Sequence, residues 1–218
     1  MTESIDLANW ERRFQAFLTE QADEDTSHGL DHVERVVAAA KRIGREEAAR
    51  MAVVVPAAWL HDCVNVEKNA PHRHQASTLA ADRAVAFLRE AGYPAAHLDA
   101  IHHAIRAHSF SAKIPPETLE AKIVQDADRL DALGAIGLAR CFMVGGRLGL
   151  RIYDVDDPFC RDRPPDDRRF IVDHFYAKLM TLPETMQTPA GRREAQRRVK
   201  VLSAFLEALA GELPEERG

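Results

Sequence analysis

Apolar side chains recur every three or four positions through most of this chain, which is the spacing of amphipathic helices. The first helix shows the pattern clearly, because Trp10, Phe14 and Phe17 fall on one face. The same spacing predicts helices over residues of about 10–18, 29–44, 51–62, 77–91, 98–108, 118–143, 168–182 and 192–209. No segment alternates between apolar and polar residues for long enough to predict a strand. We therefore expect an all-α fold of about seven to ten helices, in a single domain over residues 1–218.

The apolar run from Met51 to Leu60 ends directly in an imidazole and a carboxylate, His61 and Asp62. On a helix, successive residues turn by about 100°, so both side chains can border one pocket from different sides. Pro56 removes one backbone hydrogen bond and predicts a kink just before the pair. Burying a neutral polar group without a partner costs roughly 2–7 kcal/mol, and burying a charge costs more. The pair therefore needs partners, which either a bound metal ion or a structural hydrogen bond would supply.

Two further polar side chains lie on inward-facing stripes of other predicted helices. His32 precedes Val36 by one turn, and Asp128 lies at the edge of an apolar stripe. Nine of the ten histidines lie between His28 and His108, and this clustering favours a site over scattered surface imidazoles. The candidate metal ligands are therefore His32, His61, Asp62 and Asp128.

Two imidazoles and two carboxylates form a mixed set of nitrogen and oxygen ligands. Such a set suits Mn²⁺, Mg²⁺, Fe²⁺, Ni²⁺ or Zn²⁺, and it contains no thiolate that would favour zinc strongly. Four protein ligands on a six-coordinate ion leave two positions open, one for water and one for a phosphoryl oxygen. An ion in this position lowers the pKa of the water and neutralises charge on the phosphate. The pattern thus predicts one divalent ion and a small phosphorylated substrate.

Net charge and cysteine content narrow the class of protein. The 29 basic and 34 acidic residues give a formal net charge of −5, which does not suit a long nucleic acid as the partner. The 3 cysteines show no CxxC spacing and indicate reduced thiols. The N-terminal segment lacks the pattern of a signal peptide, and no window approaches the roughly 18 apolar residues of a membrane span. We therefore expect a cytoplasmic protein that does not bind a membrane, and the sequence is compatible with an oligomer.

The segments around the candidate ligands resemble the HD-domain metal-dependent phosphohydrolases, whose pattern is His … His-Asp … Asp. The matching segments are HGLDHVERV with His32, AAWLHDC with His61 and Asp62, and VQDADRLDALGAIG with Asp128. The segments AHSFSAKIPPETLEAKIVQDADRLDALGAIGLAR, IYDVDDPF and DHFYAKLMTLPETMQT are similar to the YedJ/YpgQ-like group of that superfamily. The adjacent pair His61 and Asp62, the His-Asp doublet, is a weak signal by itself, since two residues recur by chance. The whole pattern of four residues in this order is specific. The resemblance extends over residues of about 10–205.

This resemblance implies an all-helical protein that binds one divalent ion, with manganese favoured, and that hydrolyses phosphate bonds of nucleotides. Some members of the group are pyrophosphohydrolases that act on nucleoside triphosphates. We expect the metal core within residues of about 25–140, with a C-terminal loop and helices, about 145–211, packed on it. The loop Gly145–Asp167 is rich in Gly, Pro and Asp, and its length is typical of a loop that covers a site or contacts a partner.

Six further residues are candidates for catalysis or substrate binding. Lys68 follows the doublet in a polar, basic loop and would hold a phosphate as a point charge, the alternative being a solvated lysine. His108 ends an apolar stripe, and His103 borders the same stripe. Either histidine would donate to a phosphate, act as a general acid or bind a second ion. The alternative is a hydrogen-bonded histidine of the core.

The remaining candidates concern proton transfer and ligand orientation. Asp131 lies about one turn after the fourth candidate ligand and would orient it or take a proton from water, unless it pairs with Arg129 or Arg35. Arg35 would hold a carboxylate ligand in place or meet the substrate phosphate. Some HD nucleotidases carry a glutamate three residues after the aspartate of the doublet, but here Asn65 occupies that position and cannot transfer a proton. The proton donor stays open among Glu67, a histidine, Asp131 and a metal-bound hydroxide.

Two other functions are compatible with the same residues. One is a non-catalytic module that binds a nucleotide, which a degraded ligand set would indicate, although this set is intact. The other is a phosphodiesterase that acts on a cyclic nucleotide. The chain lacks the GYP segment of one such branch, which counts against that branch only.

Overall fold

The computed structural model describes residues 5–21, 27–64, 75–109 and 112–214. The chain divides into two compact units, Met1–Asp128 and Arg129–Gly218. Within the described residues, the helices are α1 (Leu7–Gln21), α2 (Ser27–Glu46), α3 (Met51–Leu60), α4 (Ala76–Glu90), α5 (Leu98–His108), α6 (Leu119–Leu130), α7 (Gly134–Arg147), α8 (Asp173–Ala177) and α9 (Pro189–Glu212). That part of the chain contains no strand and has one isolated bridge, between Arg151 and Phe170. The predicted all-α fold is confirmed.

Helix α3 forms the centre of the first unit. The residues from Val53 to Leu60 are all buried, and the helix is apolar on every side, as expected for a core helix. It packs against α1, α2, α4 and α5. Near its first turn the Tyr93 hydroxyl donates a hydrogen bond of 2.6 Å to the Ala52 carbonyl. Because α3 leads into the His-Asp doublet, the burial of Val53 to Leu60 fixes the position of the doublet.

The doublet lies just beyond α3, whereas the sequence placed both residues on the helix itself. The helix ends at Leu60, His61 occupies the C-cap position with φ −59° and ψ −34°, and Asp62 follows in a turn. The Cys63 N–H then donates to the Leu60 carbonyl at 3.2 Å. The last carbonyl groups of a helix have no partners within it, so polar side chains at this point find acceptors close by.

The long helix predicted over residues 118–143 is in fact two helices. Helix α6 ends at Leu130, and α7 begins at Gly134. Between them Leu133 is extended, with φ −118° and ψ 163°, and Gly134 has φ +73°, a conformation that glycine adopts without strain. The Arg198 guanidinium donates to the Leu130 carbonyl at 2.7 Å and so satisfies the end of α6. The apolar periodicity continued across the break and hid it.

The second unit is built around aromatic contacts between its helices. Phe142 on α7, Phe175 on α8 and Phe205 on α9 have ring centroids 5.4–6.3 Å apart. Helix α9 begins with a regular cap, because Thr188 accepts from the Gly191 N–H at 3.0 Å. The helix predicted over residues 168–182 is instead α8 followed by a 3-10 helix, Leu179–Thr185.

The predicted loop after α7 begins later than expected, since that helix extends to Arg147. Within the loop, the Arg163 guanidinium donates to both carboxylate oxygens of Asp173, which is fully buried. The Asp166 N–H donates to the same carboxylate at 2.6 Å. These bonds tie the loop to the start of α8. In the described part of the chain, no helix is long and apolar enough to cross a membrane.

Candidate metal centre

Five polar side chains come together within the first unit. His32 lies on α2, His61 and Asp62 follow α3, His108 is the last residue of α5, and Asp128 lies on α6. Their nitrogen and oxygen atoms form two groups of three, and within each group the atoms lie within 4.8 Å of one another. The groups are His32, His61 and Asp128, and His61, Asp62 and His108. The ring of His61 is common to both groups.

The separations between the atoms of His32, His61 and Asp128 suit one metal ion, and Asp62 lies beside His61 in the other group. His61 Nε2 lies 3.4 Å from His32 Nε2, 3.7 Å from Asp62 Oδ2 and 4.0 Å from Asp128 Oδ1. His32 Nε2 lies 3.3 Å from Asp128 Oδ1. Ligand atoms about 2.1 Å from a six-coordinate ion lie about 3.0 Å apart when adjacent and about 4.2 Å apart when opposite. The observed separations fall within this range.

Backbone carbonyls fix the orientation of two of the rings. His61 Nδ1 lies 2.8 Å from the Ala58 carbonyl oxygen, and His108 Nδ1 lies 2.6 Å from the Ile105 carbonyl oxygen. A carbonyl oxygen only accepts, so Nδ1 carries the proton and donates in both rings. In a neutral ring Nε2 is then left with a lone pair that can bind a metal. Both histidines use the same arrangement, a bond to the carbonyl three residues earlier at a helix end.

The surroundings of His61 Nε2 test whether a cation fits. The ring is fully buried, and burial lowers the pKa of His61, which favours the neutral form. Its lone pair faces oxygen atoms of Asp62 and Asp128, which are acceptors as well. Such a group of acceptors around one buried nitrogen is satisfied by a positive charge at its centre. The residues present therefore fit a divalent ion.

The two carboxylates are held in the ionised form that a metal ligand needs. Loss of solvation acts to raise the pKa of Asp128, but the hydrogen bond from His32 and the interactions with His108 and His61 together outweigh it, so the pKa is lowered. The same competition lowers the pKa of Asp62, where the interaction with His61 and the hydrogen bond from His108 outweigh desolvation. Burial acts to lower the pKa of His108, but its hydrogen bond with Asp62 and the attraction of the Asp62 and Asp128 carboxylates together outweigh burial, so the pKa is raised.

Solvent reaches the centre mainly at Asp62. Its side chain is 56% exposed, against 29% for Asp128 and 15% for His32. The side chains of His61 and His108 are 0% and 6% exposed. A substrate that reaches these residues therefore approaches on the side of Asp62, with the histidines behind it.

Two of the other predicted residues have partners that the sequence did not reveal. His103 lies on α5, and its Nε2 accepts a hydrogen bond of 3.0 Å from the Glu117 N–H. Asp131 accepts a hydrogen bond from the Arg140 guanidinium, within the second unit. The alternative pairing of Asp131 with Arg129 or Arg35 stays a prediction. The catalytic roles of His103 and Asp131 stay predictions.

The structure describes one of the remaining predicted residues, Arg35. Arg35 lies on α2, three residues after His32, and is half-buried. Lys68, Asn65 and Glu67 lie outside the described residues. Their roles, like that of Arg35, stay predictions.

The carbonyl groups of Ala58 and Ile105 are parts of the centre that the sequence analysis missed. Side-chain patterns do not show backbone acceptors directly. A usable signal exists, however, because each histidine stands at the end of a helix, where a carbonyl three residues earlier lacks a helical partner. A histidine at a predicted helix end therefore predicts both its tautomer and the direction of its Nε2.

Comparisons with known proteins identify the family of the chain. The model of the HD domain family matches residues 29–133. The chain is 33% identical to the uncharacterised protein YpgQ of Bacillus subtilis over 204 residues, which are 92% of this chain and 90% of that protein. The crystal structure of Bacillus subtilis YpgQ in complex with ADP is 30% identical, with a TM-score of 0.69 over 93% of this chain and 96% of that chain.

A second solved structure supports the same relationship. An HD-superfamily hydrolase from Bacillus thuringiensis is 29% identical, with a TM-score of 0.71 over 93% of this chain and 97% of that chain. The similarity thus extends over both compact units and is not confined to the segment with the doublet. With the HD-domain match and a relative that is similar over nearly its whole length, the chain belongs to the HD-domain superfamily, in the group that includes YpgQ.

Proposed function

We propose that this protein is a metal-dependent phosphohydrolase that acts on a small nucleotide, as a nucleoside triphosphate pyrophosphohydrolase or a nucleotidase. The observation that carries the proposal is the arrangement around His61 Nε2, where a buried lone pair faces a second imidazole and two carboxylates. The solved complex of the relative YpgQ with ADP supports a nucleotide as the ligand class. We retain the predictions of a single domain and a cytoplasmic location.

The four ligands would be the residues of the superfamily pattern. His32, His61, Asp62 and Asp128 would hold one divalent ion, and their mixed nitrogen and oxygen donors suit manganese. Bound there, the ion lowers the pKa of a water molecule and neutralises charge on a phosphate oxygen. The hydrogen bond to the Ala58 carbonyl keeps the His61 ring in the required tautomer.

His108 is suited to hold the proton that the reaction needs. Its Nε2 lies 3.5 Å from Asp62 Oδ1, and the pKa of His108 is raised chiefly by that hydrogen bond, against the effect of burial. A protonated imidazole beside the exposed carboxylate would donate to the oxygen of the leaving phosphate. This assignment provides an acid where Asn65 cannot act as one.

Turnover of a nucleotide panel tests the proposed function. The protein is treated with a chelator, supplied with Mn²⁺ and mixed with nucleoside triphosphates, nucleoside diphosphates and 3′,5′-cyclic nucleotides, and the products are separated by ion-exchange chromatography. We expect metal-dependent release of phosphate or pyrophosphate from a linear nucleotide. Binding without turnover would indicate the non-catalytic module, and hydrolysis of cyclic nucleotides alone would indicate the phosphodiesterase.

Asp62→Asn examines the ligand set in the same assay. The substitution keeps the size of the side chain and removes its charge, so we expect turnover to fall by about 100-fold or more, a loss of about 2.7 kcal/mol in transition-state stabilisation. The matched control is Asp82→Asn, because Asp82 is an exposed aspartate on α4 that bonds His102. Full activity in Asp62→Asn would contradict the proposed site.

A further inference from the structure

The end of α5, which carries His108, is completed by side chains. The last carbonyl groups of a helix have no partner within it. The Ile105 carbonyl receives the ring N–H of His108 itself. The Ala107 carbonyl receives the side-chain N–H of Gln125, from α6, at 2.7 Å. The second bond therefore joins the end of α5 to the interior of α6, and both helices contribute to the metal centre.

Gln125 links a residue beside His108 to the helix that carries Asp128. It precedes Asp128 by about one turn of α6, and its acceptor Ala107 is the residue next to His108. Gln125 is 3% exposed and Ala107 is fully buried. Water is thus excluded from the bond, and no solvent molecule takes the place of the donor if it is removed.

The carbonyl end of the Gln125 amide makes no hydrogen bond with the described residues, so only its N–H donor accounts for an amide at this position. Its Oε1 is buried and has no hydrogen-bond partner among the described residues. An unpaired buried oxygen destabilises a fold, and an apolar side chain of the same length would avoid that cost. The fold keeps the hydrogen bond from Gln125 to the Ala107 carbonyl in spite of the destabilisation by the unpaired Oε1.

We propose that Gln125 is a positioning residue of the metal centre. Its bond to the Ala107 carbonyl holds α6 against the end of α5. The bond thereby sets the distance between Asp128 in one group and His108 and Asp62 in the other. The inference rests on the proposed metal site, because it assigns to Gln125 the spacing of that site's donors. Gln125 itself is not one of the proposed metal ligands.

Metal affinity in a matched pair of variants tests the proposal. Gln125→Met keeps the length of the side chain and removes the donor. Tyr93→Phe is the control, because it removes a buried hydrogen bond of the same kind, to the Ala52 carbonyl near the start of α3. We expect the Kd for Mn²⁺, measured by equilibrium dialysis without nucleotide, to rise by about 10-fold in Gln125→Met. In Tyr93→Phe, thermal stability falls and the Kd stays at the wild-type value.

Nuclear magnetic resonance of ¹⁵N-labelled histidine gives a second readout in the metal-free protein. We expect the ring nitrogen signals of His108 to shift in Gln125→Met and to stay in place in Tyr93→Phe. If Gln125→Met does not fold, Gln125→Leu takes its place, since the leucine side chain is also unable to donate. The same loss of Mn²⁺ affinity is expected of that variant.

The possible failures are distinguishable. If wild type binds none of Mn²⁺, Mg²⁺, Fe²⁺, Ni²⁺ and Zn²⁺, the proposed function is wrong. If wild type binds Mn²⁺ and the Gln125 variants bind it equally well, only the positioning role is wrong. An equal loss of affinity in Tyr93→Phe would also overturn that role, because it would attribute the effect to general destabilisation.

Discussion

The two ring nitrogens of His61 have separate functions, and two substitutions separate them. In His61→Asn the amide nitrogen stands where Nδ1 stands, so donation to the Ala58 carbonyl is kept and the metal-facing atom is lost. In His61→Gln the amide reaches the position of Nε2, and the bond to Ala58 is lost. We expect the asparagine variant to stay stable without binding metal, and the glutamine variant to be less stable with residual metal affinity.

The magnitudes follow from the contacts. Mn²⁺ at 100 times its Kd stabilises the folded protein by about 2.7 kcal/mol, a rise of roughly 5–11 °C in Tm for a chain of this length. Loss of the bond to Ala58 leaves a buried carbonyl unpaired and costs about 1–3 kcal/mol, or roughly 2–12 °C in Tm. For His61→Asn we expect a metal-free Tm within about 4 °C of wild type and a shift with Mn²⁺ below about 1 °C.

Differential scanning calorimetry of chelator-treated protein, with and without Mn²⁺, measures both quantities. His102→Asn is the control, since His102 is a partly exposed histidine on α5 that bonds Asp82 at 2.8 Å. That variant should keep the full shift in Tm with Mn²⁺. A shift of wild-type size in His61→Asn would refute the assignment of Nε2 to the metal.

Two further predictions concern stability. Arg50 donates to the buried carboxylate of Glu120, chiefly through its side chain, and this bond lowers the pKa of Glu120 below its ordinary value of 4.5. The stabilisation by the Arg50–Glu120 bond is present above pH 4.5 and is lost as the pH falls through the lowered pKa. Glu120→Gln should therefore lower the free energy of unfolding in urea by about 1–3 kcal/mol at pH 7, and by progressively less below pH 4.5. A cost that stays constant down to pH 3 would contradict this reasoning. In Gly137→Ala the new Cβ would overlap the backbone of Ala132, which should cost about 1–3 kcal/mol, whereas Gly146→Ala on the same helix meets open space and should stabilise by about 0.5–1 kcal/mol. Thermal unfolding compares the two glycine variants, and equal Tm values would show that the close approach at Gly137 relaxes freely.

Apolar periodicity predicted the helices because the side chains that pack inward recur with the helical period. The same rule turned His32 and Asp128 toward the core, where the structure brings them close to His61. Periodicity does not report backbone dihedral angles, so it missed the break at Gly134, where a positive φ separates α6 from α7. It also placed Asp62 on a helix that ends two residues earlier.

Hydrogen bonds between distant segments were beyond the reach of the sequence pattern. The bond from the Glu117 N–H to His103 joins residues 14 positions apart, and the bond from Gln125 to Ala107 joins residues 18 positions apart. Each depends on how α5 and the start of α6 pack together. The sequence predicted which residue types meet at the centre, while the tautomers and spacings required the three-dimensional structure.

The burial of α3 on all sides has a consequence for the order of events during folding. A helix surrounded by α1, α2, α4 and α5 reaches its final position only when those helices have packed around it. The donors that meet at its end also come from residues as far apart as 32 and 128. Binding of Mn²⁺ therefore indicates that the first unit has finished folding, and not only that the chain has collapsed. In refolding started by dilution from urea, we expect water-proton relaxation by Mn²⁺ to change after the helical circular dichroism signal has recovered. Simultaneous recovery would show that the centre assembles as early as its helices.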